Sequence, residues 1–300
     1  MPGLPVVIVH RDQPARLAAT IAAFRAQEIP VDLVVVDNGS SVPPVLDDPS
    51  TVVIEAGTNL GFGPGANVGY RYFLERRQDW EWIALAPHDA LPQPGCLRTM
   101  LEVLAARPRA GLACADVGDG ATPVVDRYFG GILVPSTTTE GWEPAGHPHG
   151  TLMLARRGCL ETVGLFDERY FAYCEEADLA LRAAEAGWEC GLIRGAMVRN
   201  AYVGSTSAVI DYLQLRNTLL QVREHSGRYH AFIRFSIALW HLASGAVVPR
   251  RRGPYWDARA RIVALRDFAR GRFGPPPAWL FDQATSPRSA AAMRGRTLAR

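Results

Sequence analysis

Three carboxylates, Glu175, Glu176 and Asp178, stand in the segment GLFDERYFAYCEEADLALRAAEAGW (Gly164–Trp188), directly behind the aromatic residues Tyr170, Phe171 and Tyr173. A carboxyl held beside an aromatic wall is suited to taking a proton from a hydroxyl near neutral pH, because desolvation raises its pKa. The plainer alternative is that acidic residues favour a first helical turn, where free N–H groups and the helix dipole attract negative charge. Leu179, Leu181, Ala184 and Trp188 follow at roughly helical spacing and predict an amphipathic helix that starts at the carboxylates.

Two further polar clusters, Asp37-Asn38-Gly39-Ser40 and His88-Asp89, each end a short apolar run. Between them lies the glycine-rich stretch GFGPGANVG, with Gly63, Gly65 and Gly69 spaced G-x-G-x-x-x-G. A dinucleotide-binding dehydrogenase would place such glycines after the first strand, with an acidic residue ending a later strand about 20 positions on. Neither condition holds. The glycines would still let backbone N–H groups and a helix N-terminus approach a phosphorylated ligand. Each carboxylate alone is explained as a turn or helix-start residue. Two on one edge, a glycine-rich loop between them and an acidic helix start further on describe a site for a nucleotide diphosphate plus a base.

Strands and helices must alternate to hold these groups. Leu4–His10, Val31–Val36, Thr51–Ala56, Trp82–Ala86 and Gly111–Ala115 read as buried strands, separated by helices over Pro14–Gln27, from the end of Gly57–Gly69 to about Gln78, and over Gly95–Ala106. The fold class is α/β, a mostly parallel central sheet flanked by helices, whose strand carboxyl ends are the ligand-binding edge. Positions 116–149, rich in Gly, Pro and Thr, read as an irregular, mobile connection. Thr151–Ala155 reads as a strand and Arg156–Val163 as a short helix. Asp211–His225, Tyr229–Val247 and Trp256–Arg270 read as helices, and SPRSAAAMRGRTLAR as a disordered basic tail. The expected division is 1–225 (a nucleotide-binding half, 1–115, and an acceptor half, 116–225) followed by a helical extension, 226–300.

A net charge of +2 over 300 residues argues against a nucleic-acid-binding surface. All 32 basic residues are arginine, which we read as codon usage in a GC-rich genome. Cys96, Cys114, Cys159, Cys174 and Cys190 form no CxxC pair, so reduced thiols are expected instead of zinc or disulfides. Neither a signal peptide nor an apolar run of transmembrane length is present, so a cytoplasmic chain is expected. Phe232–Val248 is apolar and runs into Arg250-Arg251-Arg252. It either packs on the rest of the chain or rests on the inner face of an anionic membrane.

Six segments in order, VVIVHRD, VVVDNGS, NLGFGPGANVGY, PHDALPQPG, the stretch Gly150–Trp188, and YLQLRN (Tyr212–Asn217), resemble the family 2 inverting glycosyltransferases of the GT-A fold, in particular bacterial rhamnosyltransferase-like members. The resemblance spans residues 4–220. It implies transfer of a sugar from a nucleotide-diphosphate donor, dTDP-rhamnose or a UDP-hexose, to a hydroxyl of a cell-surface glycan or lipid-linked acceptor. The alternative is a non-catalytic relative that binds a nucleotide sugar.

By the same resemblance, His10 and Asp37 lie beside the nucleoside, and Asn59, Gly61, Ala66 and Asn67 line the nucleotide pocket. Asp89 ends a DxD-like element that holds a divalent cation, Mg²⁺ or Mn²⁺, on the donor diphosphate. Glu176, or its neighbour Glu175, is the base, Asp178 supports the helix start, and Arg216 approaches the diphosphate or acceptor. The chain departs from the family pattern where that element reads Pro87-His88-Asp89 and where Asn200 replaces a histidine. His88, or His147 and His149, could supply the missing cation ligand, but each reads first as a surface histidine.

Overall fold

The computed structural model of the chain describes residues 3–46, 48–200 and 205–281. They form two compact units. The first comprises residues 1–124, 133–167 and 175–200, and the second 125–132, 168–174 and 201–300. The basic tail expected at the C-terminus lies outside the described residues.

The first unit is built on a nine-stranded sheet in the order β3-β2-β1-β4-β10-β6-β11-β5, with β9 also paired to β11. The strands are β1 (Leu4–His10), β2 (Val31–Asp37), β3 (Val52–Glu55), β4 (Trp82–Pro87), β5 (Ala90–Pro92), β6 (Ala110–Asp116), β9 (Gly141–Pro144), β10 (Met153–Arg156) and β11 (Glu189–Asn200). β7 (Ala121–Asp126) and β8 (Gly130–Pro135) form a separate hairpin. β3, β2, β1, β4, β6 and β11 share one direction, and β10, β5 and β9 run against it. The sheet is therefore mostly parallel.

Successive side chains of a strand point to opposite faces, and here both faces are covered, which is why β1 and β2 read as unbroken apolar runs. Val6, Ile8, Leu33 and Val35 pack with α1 (Pro14–Arg25) and α3 (Cys96–Ala105) through Leu17, Phe24, Leu97 and Met100. Val7, Val9, Val34 and Val36 pack on the other face with α2 (Phe62–Arg76), α4 (Arg157–Val163) and α5 (Glu175–Glu185) through Tyr70, Phe73, Leu160 and Leu179.

Four expectations are corrected. The glycine-rich stretch is not a loop: α2 starts at Phe62 and carries Gly63, Gly65 and Gly69 inside it. A Cβ at Gly69 would collide with Val7, and one at Gly65 would press on Val9 and Asn38. These glycines let the helix sit directly on β1. Residues 116–149 are not irregular, since they supply β7, β8 and β9. Arg194 of β11 holds this region: its guanidinium bonds Glu143 (2.7 Å) and Asp116 (3.1 Å), and Glu143 also accepts from Ser136 and Thr137. Burial pushes Glu143 up, but these donors outweigh it and bring its pKa down to about 2. The buried face of α5 is Ala177, Leu179, Ala180 and Ala183, leaving Ala184 exposed and Leu181 at the margin. Finally, His147 and His149 are half-buried, and desolvation takes His147 down to about 4.

The second unit holds α6 (Ser207–Ser226), α7 (Arg228–Val247) and α8 (Ala258–Ala269). Thr206 caps α6 by accepting from the Val209 N–H, and Asp257 caps α8 through the Ala260 N–H. Its core gathers Phe171, Val209, Tyr212, Leu213, Leu219, Ala264 and Leu280. α7 buries only Ala231, Ala238 and Gly245, while Tyr229, Phe232, Leu239, Trp240 and Val247 face outward. Among the described residues, no helix is long and apolar enough to cross a membrane.

Candidate active site

Parallel pairing sets the first group of side chains. β1 and β2 are in register with His10 opposite Asp37, and β1 meets β4 with Val9 opposite Pro87. His10, Asp37 and the His88-Asp89 pair therefore stand at one edge of the sheet, the carboxyl ends of the strands. Asp37 accepts from the N–H and hydroxyl of Ser40, and Ser40 in turn accepts from the Asp12 N–H (2.9 Å). The rings of His10 and His88 meet edge to face, with centroids 5.3 Å apart. Burial lowers the pKa of both, and His88 falls to about 4, so the two rings are neutral at pH 7. His10 Nδ1 is buried with no partner among the described residues.

Asn38, which the sequence reading passed over as a turn residue, fixes the next segment. Its Nδ2 donates to the Gly61 carbonyl (2.8 Å) and its Oδ1 accepts from the Leu60 N–H (2.9 Å). Asn59 accepts from the Gly61 N–H (3.1 Å). Gly61 precedes α2 with φ 97°, a conformation that favours glycine. Ala66 and Asn67 lie behind this edge, buried inside the unit. Ala66 packs in the core, and the Asn67 amide makes a reciprocal pair with Phe166, donating to its carbonyl (2.9 Å) and accepting from its N–H (3.0 Å).

Asp89 accepts from Asn200 Nδ2 (3.3 Å) at the end of β11. The asparagine standing where the family keeps a histidine thus touches the one carboxylate of the DxD-like element. Burial raises Asp89 to about 6, with Arg16 opposing. Among the described residues there is no group of three His, Cys, Asp or Glu side chains that could hold a metal ion.

The carboxylates of α5 form the other half of the site. Glu175 is 1 % exposed, and its Oε2 has no partner among the described residues. Burial, and next the charge of Glu176, push its pKa well up. Burial also raises Glu176, to about 7. The carboxylate that ionises near neutrality is therefore Glu176, with Glu175 held as the neutral acid. Glu176 Oε1 lies against the backbone at Gly150, where any Cβ would collide with it. Gly63 of α2 packs on Glu175, a Cβ there coming 3.3 Å from Glu175 Cγ. Asp178 adds its charge to the causes that raise Glu175. It binds Arg182 (2.9 Å), whose guanidinium also donates to the Val163 and Leu165 carbonyls and so docks the first turn of α5.

In the second unit, the turn that leads into α5 carries Phe171, Tyr173 and Cys174 at φ 66°, 67° and 75°, all in the left-handed region. The Asn217 amide holds this turn by donating to the carbonyls of Tyr170 (2.7 Å), Ala172 and Tyr173 (both 2.8 Å). Arg216, expected at the diphosphate or acceptor, is 1 % exposed. Its guanidinium is spent on Asn217 Oδ1 (3.0 Å), the Tyr212 hydroxyl (3.1 Å) and the Tyr170 carbonyl (3.4 Å). It serves the scaffold of the turn, and the YLQLRN motif earns its place there through Asn217.

No protein-family model matches the chain. It is 30% identical over 219 residues to the N-acetylglucosaminyl-diphospho-decaprenol L-rhamnosyltransferase of Mycobacterium tuberculosis, covering 62% of this chain and 71% of that one. It is 25% identical over 206 residues to the low-salt glycan biosynthesis hexosyltransferase Agl10 of Haloferax volcanii, covering 63% and 66%. Among solved structures, the mannosyltransferase PcManGT of Pyrobaculum calidifontis, in complex with GDP-Man and Mn²⁺, superposes with a TM-score of 0.56 at 17% identity, covering 99% of this chain and 80% of that one. S. aureus TarS (residues 1–349) gives 0.51 at 14% identity, covering 90% and 92%. GalNAc-T7 with UDP, GalNAc and Mn²⁺ gives 0.61 at 14% identity, covering 89% and 55%. The structures share the fold, and the sequence relatives are transferases of hexose or rhamnose. The non-catalytic alternative draws no support from them. On the strength of the mycobacterial relative, the chain belongs to the family 2 glycosyltransferases of the GT-A fold.

Proposed function

We propose that this glycosyltransferase moves a rhamnosyl or hexosyl group, with inversion, from a nucleotide-diphosphate donor to a hydroxyl of a lipid-linked glycan, with Glu176 as the base. The observation that carries the reading is the Glu175–Glu176 pair: Glu175 is sealed with an unpartnered Oε2, and burial raises the pKa of its neighbour Glu176 to about 7. Glu176 takes the acceptor hydroxyl's proton as that oxygen bonds to the anomeric carbon. The bond from that carbon to the donor phosphate breaks on the opposite face, and the nucleoside diphosphate leaves. His10 and Asp37 flank the nucleoside, the unpartnered His10 Nδ1 meeting the base. Asn38 holds Asn59–Gly61 so that backbone groups face the donor. The lipid-linked acceptor follows the decaprenol-diphosphate substrate in the mycobacterial relative's name.

A divalent cation fits this site only as a partner shared with the substrate. Cations such as Mg²⁺ are commonly held by one or two carboxylates plus substrate phosphates. Asp89, a half-buried carboxylate whose pKa burial raises against the opposing charge of Arg16, is suited to that single place. The ion would neutralise charge developing on the leaving diphosphate.

The outward face of α7 supports a membrane contact. Phe232, Leu239, Trp240 and Val247 are exposed, and Arg250 and Arg251 follow them. Apolar residues beside exposed arginines suit the surface of an anionic bilayer, where a lipid-linked acceptor resides. The decisive test is Glu176→Gln. Turnover of a polyprenyl-diphosphate-sugar acceptor should fall about 10²–10⁴-fold while calorimetry shows the nucleotide donor still bound. Near-normal turnover in that variant would remove Glu176 from the role of base.

A further inference from the structure

Three arginines of the helical unit, Arg216 buried and Arg234 and Arg261 half-buried, are not alike. Arg261 makes two bonds to the Asp211 carboxylate, at 2.8 and 2.7 Å. Arg216 bonds the Tyr212 hydroxyl, which donates to Asp267 (3.0 Å). Arg234 of α7 has no acidic partner among the described residues, and its Nε is buried without any partner. Its guanidinium lies over the Phe129 ring, 5.5 Å from the centroid. Burial, and then the like charge of Arg261, lower its pKa, with Cys174 opposing.

A second group beside it is equally unsatisfied. Gln221 of α6 is 1 % exposed, yet both its Oε1 and its Nε2 lack partners. Buried amides are almost always hydrogen-bonded, so such a group calls for an explanation. The residue next to Phe129 is Gly130 (φ 71°), and a Cβ there would come within 3.0 Å of both Gln221 Oε1 and Thr218. Arg234 and Gln221 thus flank the same two-residue segment, with Thr218 one helical turn before Gln221. With no side chain at position 130, the backbone there packs closely on the amide and on Thr218.

We infer that Arg234 and Gln221 form a phosphate-binding site in the helical unit, and that it takes the diphosphate of the acceptor. A guanidinium fork matches phosphate oxygens, and burial strengthens the pairing. The Gln221 Nε2 supplies another donor, and its Oε1 can receive a hydroxyl from the adjoining sugar. The inference rests on the proposed lipid-linked acceptor. The donor diphosphate belongs to the first unit's strand edge, so a second diphosphate site gives the acceptor a handle of its own.

The test uses the full chain, with the donor site first filled by saturating nucleoside diphosphate. Inorganic pyrophosphate should then raise the melting temperature further. That second shift should vanish in Arg234→Gln and in Gln221→Glu, the latter placing a carboxylate beside the arginine, while the nucleotide-induced shift persists in both. In turnover assays, KM for a short polyprenyl-diphosphate-sugar acceptor should rise at least tenfold in both variants, with donor KM unchanged. A pyrophosphate shift absent from the wild type, or one that nucleotide abolishes, overturns the site. A shift retained in both variants does so too. A shift lost in the variants without any change in acceptor KM would mean an anion site for free phosphate, and would overturn the acceptor assignment. Loss of the nucleotide shift in every protein would strike the proposed donor reading, leaving the pyrophosphate result to stand or fall alone. Should Arg234→Gln fail to fold, Gln221→Glu carries the test.

Discussion

With Glu176 as the proposed base, the chemistry turns on which of two adjacent carboxyls holds the proton. Glu175 keeps it, since its pKa is pushed further up, and Glu176 gives its own up at about 7. kcat should therefore rise with pH through about 7 and drop about tenfold for each unit below, more steeply under pH 6, where Asp89 is also protonated. Glu175→Gln should leave that limb in place. It should also raise the melting temperature at pH 8: an unfolded Glu175 ionises above about pH 4.5 and the folded one resists, so folding is penalised there. The gain should disappear below pH 4.5, and a melting curve unchanged at pH 8 would count against the neutral Glu175. Gly150→Ala tests placement. The new Cβ displaces the end of the Glu176 side chain, and a shift of about 1 Å can cost about 10²-fold in turnover. Stopped assays should show that loss with little change in melting temperature.

Much of this was legible in the residues. His10, Asp37 and Asp89 each end an apolar run, and strand ends are where such sheets bind ligands. The tasks of Asn38 and Asn217 were not legible, because an amide that bridges distant carbonyls leaves no local pattern.

Among elements, the turn before α5 is the most demanding. Residues in the left-handed region cost about 1–3 kcal/mol each, and Phe171, Tyr173 and Cys174 all occupy it. The Asn217 amide satisfies three carbonyls of that turn. Asn217→Ala leaves buried acceptors unpaired, and urea unfolding should show a loss of about 1–3 kcal/mol. Turnover should fall as well, because the turn runs directly into Glu175. A variant as stable and active as the parent would show the turn to be self-supporting.

The strands and helices of the first 115 residues could be read from apolar runs and their breaks. β7–β9 could not, because Gly, Pro and Thr in that stretch imitate a loop. What orders the region is the Arg194–Glu143–Asp116 cluster, whose members lie far apart in sequence. The 12-residue β11 was missed for a related reason: Arg194 and Gly195 interrupt its apolar pattern, one to make that cluster and the other with φ 85°.

For the molecule as a whole, charge argues for a local and not a general attraction to anionic surfaces. A net charge of +2 is too small to bind a membrane everywhere, so the proposed contact rests on α7 and the arginines after it. The chain should co-sediment with vesicles containing phosphatidylglycerol and far less with neutral ones, and high salt should weaken the binding. Trp240→Ala or paired Arg250→Ala and Arg251→Ala should each release it. Equal binding to neutral vesicles would exclude the electrostatic part of the proposal.

The glycines of α2 carry an evolutionary consequence. With Gly69 seated on Val7 and Gly65 on Val9 and Asn38, the helix has no freedom to slide. A slip of one residue would drive Val68 or Tyr70 into the strand, so the start of α2 is locked in register with the sheet edge. New donor preferences must then arise by exchange of side chains at the strand ends, because the backbone between them cannot drift.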